Sequence, residues 1–217
     1  MEAPVIFESI QIPEPRDSIF RRLGYRRGVT AGTAGELKAI ENDIAYAGSL
    51  IQLRAAALRV PIRRRDAAAV VCSDGIILNS RDVSTMLRNC DELLIMGATA
   101  GSAIVDAIGE DANKDRLTRG VILDAVASEM TDGALDWVVA YFNGHLRREN
   151  RRVSTRRFSA GYGDFGIENQ KVIYDVLELS RIGVRLSDRY MLIPEKSVTA
   201  VTGIHKGAVD DERGETL

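Results

Sequence analysis

Residues 157–204 read RFSAGYGDFGIENQKVIYDVLELSRIGVRLSDRYMLIPEKSVTAVTGI, and the order of elements in this stretch decides the fold class. Arg157 leads into Ser159-Ala160-Gly161-Tyr162-Gly163-Asp164, a turn of small residues in which glycine lets backbone approach a neighbour closely. The pattern then predicts a helix near 168–179 and strands at about 182–186, 190–193 and 197–203. Ser197 to Thr202 alternates with period two, which predicts a strand with one face in solvent. These strands are not interleaved with crossover helices, which argues against a doubly wound parallel sheet.

Upstream, residues 113–143 form the longest helical pattern. Leu117, Val121, Leu123, Val126, Met130, Ala134, Leu135, Val138 and Phe142 supply its apolar side, and the sequence around Ile122 is apolar on both sides. Asp91 to Met96 contains Leu-Leu-Ile-Met, a strand expected to be buried on both faces. Gly97-Ala98-Thr99-Ala100-Gly101-Ser102 follows, and a helix is expected over 103–108. The small residues of that link suit an anion at a helix start or close packing, and packing is favoured because no lysine ends the motif.

Short strands are predicted over 60–64, 69–72 and 76–78, with a Ser73-Asp74-Gly75 turn and a helix over 81–88 capped by Ser80. Thr33 and Glu36 spell a capping box. Behind it, Leu37, Ile40, Ile44, Ala47 and Ile51 recur at helical spacing. Asp17 to Arg22 reads as a short helix stopped by Gly24. Pro4, Pro13 and Pro15 keep residues 1–15 extended, with Val5-Ile6-Phe7 or Ile10-Gln11-Ile12 available as an edge strand. The stretch from Lys206 to Leu217 is polar and acidic and reads as a flexible tail. The expected architecture is a single α+β domain over residues 16–205, with a mainly antiparallel sheet and a long central helix.

A net charge of −2 over 217 residues gives no global basic field for nucleic acid or an anionic membrane. No apolar run approaches the roughly 20 residues that span a bilayer, and the N-terminus lacks a signal pattern, so a cytoplasmic location is expected. The basic runs at Arg63-Arg64-Arg65, Arg147-Arg148, Arg151-Arg152 and Arg156-Arg157 read as solvated surface, except that the last abuts the glycine turn. Cys72 and Cys90 sit in apolar contexts and match no metal spacing. His145 and His205 read as surface residues, and no Ser/His/Asp or Cys/His set is suggested.

Taken together, Arg157, Ala160, Gly161 and Tyr162 resemble the Arg-x-x-x-Gly-Tyr pattern of the reactivation domain of cobalamin-dependent methionine synthase, in its stand-alone form. Met191-Leu192-Ile193-Pro194-Glu195-Lys196-Ser197-Val198 is similar to the family's Met-x-Pro-x-x-Ser-Val stretch. Leu23-Gly24-Tyr25, Cys90-Asp91-Glu92 and Leu123-Asp124-Ala125-Val126 add to the likeness, which covers most of residues 16–204. The resemblance implies S-adenosylmethionine as the ligand and a cobalamin-binding methionine synthase, or another corrinoid protein, as the partner. Flavodoxin or ferredoxin is then the expected electron donor. With no Asp-x-His-x-x-Gly string in the chain, the cobalamin must arrive on the partner.

Given that ligand, Arg157 suits its carboxylate, because a planar guanidinium pairs with both oxygens. Ser159, Ala160 and Gly161 offer backbone contacts, and the Tyr162 ring offers a face to the sulfonium, worth on the order of 1 kcal/mol. Asp132 or Glu129 is available for the ammonium. The chain departs from the family where an aspartate of the first helix becomes Gly24, so that contact is lost or supplied by another acid such as Asp17, and it has no paired tyrosines in its last strand. The rival reading is therefore a docking module for another corrinoid methyltransferase system that does not bind S-adenosylmethionine. Under either reading the chain is part of a methyltransferase system and not a complete enzyme by itself.

Overall fold

The computed structural model describes residues 3–25 and 33–207. The chain opens with β1 (Val5–Phe7), α1 (Arg16–Arg22) and α2 (Ala34–Leu50). The capping box predicted for α2 is formed: the Thr33 hydroxyl accepts from the Glu36 amide at 3.2 Å, and the Glu36 carboxylate accepts from the Thr33 amide at 2.8 Å. Next come β2 (Arg54–Arg65), β3 (Ala69–Cys72), β4 (Ile77–Asn79) and α3 (Arg81–Met86), whose N-cap is Ser80. The central strand β5 (Glu92–Thr99) leads to α4 (Ser102–Asn113) and the 30-residue α5 (Leu117–Leu146). β6 (Arg151–Phe158), α6 (Asn169–Val176), the short hairpin β7 (Arg185–Leu186) and β8 (Leu192–Ile193), and β9 (Ser197–Lys206) complete the fold.

Seven strands make one antiparallel sheet in the order β4-β3-β2-β5-β9-β6, with β1 added on β2. The single-domain α+β architecture, the antiparallel sheet and the long central helix expected from sequence are all present. Side chains along β5 alternate between two cores, as strand geometry requires. Leu94, Met96 and Ala98 pack with Ile44, Ile104, Leu123, Val126 and Leu135 of α2, α4 and α5. Leu93 and Ile95 face the opposite side, with Val83, Leu87, Phe165, Ile173, Leu177 and Leu179. The sheet is thus a middle layer with helices on both faces.

That layering changes several expectations. β9 has no wet face: Thr199 and Thr202 are buried, and the Thr199 hydroxyl donates to Gln170 Oε1 of α6 at 2.8 Å. α6 covers the face that the alternating pattern assigned to water. The 97–102 link serves packing, as favoured, because a Cβ on Gly97 would lie 2.9 Å from a Leu179 methyl. β2 begins at Arg54, earlier than predicted, since Ala55-Ala56-Ala57 is helix-prone alone and becomes strand only between β1 and β5.

The long helix begins at Leu117 where 113 was expected, and α4 runs on to Asn113. Asp111, fully buried, accepts from Arg119 Nε at 2.6 Å and pairs with Arg116 at 2.8 Å, and this cluster turns the chain between α4 and α5. Lys206, assigned to the flexible tail, is the last residue of β9; the rest of that tail, from Ala208 on, lies outside the described residues.

Candidate functional site

α5 is apolar almost all round, but one stripe of its surface carries Asp124, Ser128, Asp132 and Asp136 at steps of four residues, with Glu129 three before Asp132. Such residues lie on one helix face. Three cations from three different elements serve this stripe. Lys196, in the link before β9, reaches Asp124 Oδ1 at 2.6 Å and donates to Ser128 Oγ at 3.0 Å. Arg22 at the end of α1 donates from Nε to Glu129 Oε1 at 2.6 Å. Arg157 near the end of β6 donates from Nη1 to Asp136 Oδ1 at 2.6 Å, while its Nη2 lies 3.6 Å from Asp132 Oδ1.

The register explains why Arg157 points this way. It pairs with Thr202 of β9 across a register shift in β6, on the sheet face that α5 covers. Phe158, the next residue, turns to the other core. Arg157 keeps 30% of its side chain in solvent, so the guanidinium sits at the rim of the α5 interface. Asp132 is half-buried, and that burial pushes its carboxyl above its ordinary pKa. The nearby Arg157 charge pulls the other way, and Glu129 adds to the rise.

Beyond Phe158 the chain enters the glycine turn. Its backbone is closed by bonds from the Gly161 amide to the Phe165 carbonyl at 2.7 Å and from the Phe165 amide to the Tyr162 carbonyl at 3.0 Å. Phe165 is fully buried and Ala160 nearly so, whereas Gly161 is exposed and Tyr162 keeps 70% of its surface in solvent. Gly161 adopts φ = 93°, a conformation that disfavours any side chain there. Asp164 fastens the turn to α3 by accepting from Ser80 Oγ at 2.5 Å and the Arg81 amide at 2.7 Å. The Ser80 bond chiefly, with help from the Arg81 and Asp82 amides, holds the Asp164 carboxyl below its ordinary pKa.

Of the residues singled out in the sequence, the structure brings Arg157 and Asp132 together directly and places Glu129 one turn away on the same stripe. Ser159, half-buried, leads out of β6 into the turn, ahead of Ala160, Gly161 and Tyr162. Among the described residues, no hydrogen bond or ring contact joins Tyr162 to Arg157. Sequence reasoning missed Asp136, Arg22, Lys196 and Asp124. The available signal was the recurrence of acids at 124, 132 and 136 on a helix otherwise rich in apolar residues. Gly24, just past α1, has φ = 85°, and a Cβ placed there would meet no atom within 4 Å.

Arg151 is almost wholly buried, and Arg65, though exposed, is tied to backbone carbonyls. Arg65 donates to the carbonyls of Leu87 and Cys90, and Arg151 is paired with Asp91 and Glu92. His145 is exposed and its Nδ1 lies 2.9 Å from the Tyr141 carbonyl, whereas His205 is half-buried on β9, opposite Arg152 of β6. Cys72 and Cys90 are buried free thiols, and burial raises both, Cys72 to about 11. Among the described residues, no group of three His, Cys, Asp or Glu is placed to hold a metal ion, and no helix is long and apolar enough to cross a membrane.

No family model matches the sequence, and neither does any curated protein. Among solved structures, the chain is similar in fold to a crystal structure of the MetH reactivation domain bound to AdoHcy. The TM-score is 0.64 at 13% sequence identity, over 96% of this chain and 82% of that one.

Proposed function

We propose that this protein is a reactivation module that binds S-adenosylmethionine and presents its methyl group to a corrinoid carried by a partner methyltransferase. The observation that carries this reading is the placement of Arg157 beside Asp132, a few residues ahead of an exposed glycine turn in the chain, in a fold like that of a domain that binds AdoHcy. AdoHcy is S-adenosylmethionine without its methyl group, so both share the amino-acid end that these residues suit.

The donor set fits that end of the ligand. Arg157 orients the carboxylate through its planar fork. Asp132, with Glu129 a turn away, meets the ammonium. Gly161 presents backbone without a side chain in the way, and the exposed Tyr162 ring covers the sulfonium or the face of the arriving partner. In this reading the corrinoid comes with a methionine synthase and supplies the reduced cobalt that takes the methyl group, both electrons of the carbon–sulfur bond staying on sulfur. A single electron from flavodoxin or ferredoxin would first reduce the inactive cobalt(II) of the partner's corrinoid to the cobalt(I) that accepts the methyl group. Binding and orientation by this chain then account for most of its contribution, since fixing two reactants in line removes much of the entropic barrier.

Isothermal titration with S-adenosylmethionine tests the reading. Arg157→Ala is expected to weaken binding about tenfold to hundredfold, the range for losing hydrogen bonds to a charged group. Absence of heat with the native chain at millimolar ligand refutes it.

One observation favours the rival, a docking module without S-adenosylmethionine: the Arg157 guanidinium is already engaged by Asp136. That reading predicts association with a corrinoid protein that neither added S-adenosylmethionine nor Arg157→Ala alters.

A further inference from the structure

Past the C-terminal end of α5, about two helical turns beyond Asp136, an open cleft of about 380 Å³ is lined by Asn143, Arg147, Asn150, Arg151, Arg152 and Gly207. Its lining contains three guanidiniums, two side-chain amides and no acid or apolar side chain. The acids near it are spoken for: Glu149 accepts two bonds from Arg59, and Asp91 and Glu92 pair with Arg151. Among the described residues, Arg147 and Arg152 make no ion pair, and the neighbouring Lys206 adds a further positive charge in register with Arg151. Arg151 itself is nine-tenths buried, and its Nε has no hydrogen-bond partner.

Basic residues after a helix have an ordinary role, which is to complement the partial negative charge of the helix C-terminus. That role suits Arg147. It does not account for Arg152, which lies on β6, nor for a buried Arg151 whose Nε donor is left without an acceptor. Half an elementary charge at a helix end also falls short of the two guanidiniums, Arg147 and Arg152, that have no ion pair at this cleft. The amide oxygen of Asn143 is used by the Val153 amide at 2.8 Å, so the group it has left for a ligand is a donor. The cleft therefore offers donors and positive charge almost exclusively.

We propose that this cleft is a second binding site, for a small, multiply charged phosphate compound such as a diphosphate or phosphate ester. Phosphate oxygens match guanidinium forks in pairs, and the volume falls within the range of small-ligand sites. The site is independent of the S-adenosylmethionine reading, because none of its residues belongs to the Arg157 cluster.

Inorganic pyrophosphate titrated calorimetrically into the full chain is the test. The native protein is expected to bind saturably at one site, more weakly as salt rises. Arg147→Ala with Arg152→Ala is expected to lower affinity tenfold or more. Both side chains are exposed, so the fold is retained, as circular dichroism verifies, and each single variant shows part of the loss. Arg157→Ala and the exposed Arg189→Ala are expected to stay within twofold of native. No saturable heat at 1 mM pyrophosphate overturns the proposal, as does a double variant that binds normally or an Arg189→Ala loss as large as the double variant's.

Discussion

Phe165 is the side chain on which the glycine turn rests, and Phe165→Ala puts a number on that. Phe165 is the largest of the fully buried side chains, packed among Leu87, Ala160, Ile173 and Leu177 in the core between the sheet and α6. Truncation leaves a cavity of most of a phenyl ring under residues whose backbone it holds by reciprocal bonds with Gly161 and Tyr162. Buried Phe→Ala changes cost about 3–5 kcal/mol. For a domain of this length each kcal/mol corresponds to about 2–4 °C in Tm, so a fall of roughly 6–20 °C is expected. Phe165→Leu keeps much of the volume and is expected to lose roughly half as much or less. Urea unfolding followed by circular dichroism gives the free energies, with an unchanged m-value showing that only stability moved. Hydrogen exchange adds a local readout: the Gly161 and Phe165 amides are expected to lose protection before the β5 amides do. A Phe165→Ala loss below about 1 kcal/mol, with those two amides still protected, refutes the claim that this ring seats the turn.

Gly203→Ala tests the tightness of the same core from the opposite side. A Cβ at 203 falls 2.2 Å from Cys90 Sγ and 3.0 Å from Leu87 Cδ2, so overpacking is expected to cost about 1–3 kcal/mol in urea melts. Adding Cys90→Ala removes the closest atom and is expected to restore part of that loss, a non-additivity that a double-mutant cycle detects. Asp111 governs the acid limb of stability. Its carboxyl is held below the ordinary pKa chiefly by its bond from Arg119. The native state thus binds fewer protons than the unfolded chain, and Asp111 contributes stability fully present above the unfolded pKa and lost as pH falls through the lower folded one. Asp111→Asn is expected to lower Tm at pH 7 and to flatten its fall below pH 4; an unchanged acid limb in the variant contradicts this.

Local chemistry made some elements legible and tertiary contact decided the others. The α2 capping box, the Ser80 cap and the buried run of β5 are all short-range signals, and each appears where expected. The wet face assigned to β9 failed because α6, which follows the glycine turn, folds back over it. The start of β2 failed because three alanines carry no strand preference of their own. The break between α4 and α5 was expected but falls a few residues later, because its cause is Asp111 joined to arginines five and eight positions on, a contact visible only once the chain has turned. The candidate site divides in the same way. Arg157 and the turn were legible as residue types in order. Their meeting with α5 depends on the register shift in β6, which no periodicity encodes, and so Asp136 went unnoticed although it makes the shorter contact.

That overlooked aspartate supplies the sharpest separation of the two functional readings. Asp132 and Asp136 lie one helical turn apart and share one guanidinium, but they differ in exposure: Asp136 keeps 72% of its side chain in solvent and Asp132 47%. An ion pair as exposed as Arg157–Asp136 contributes about 0–1 kcal/mol, so Asp136→Asn is expected to leave stability nearly unchanged. If Arg157 receives a ligand carboxylate, it must first leave Asp136. The same change then releases it and raises affinity for S-adenosylmethionine up to about fivefold. Asp132→Asn acts in the opposite sense, because it removes the acid assigned to the ligand ammonium. The raised pKa of Asp132 also gives a pH signature: its carboxylate is lost as pH falls through that value, so binding weakens there in the native chain and stays flat in Asp132→Asn. Neighbouring aspartates with opposite effects on one titration are not expected of a structural ion-pair ladder. A module that merely docks predicts no response at either position, and a loss of affinity in Asp136→Asn places that residue in contact with the ligand and ends the competition argument.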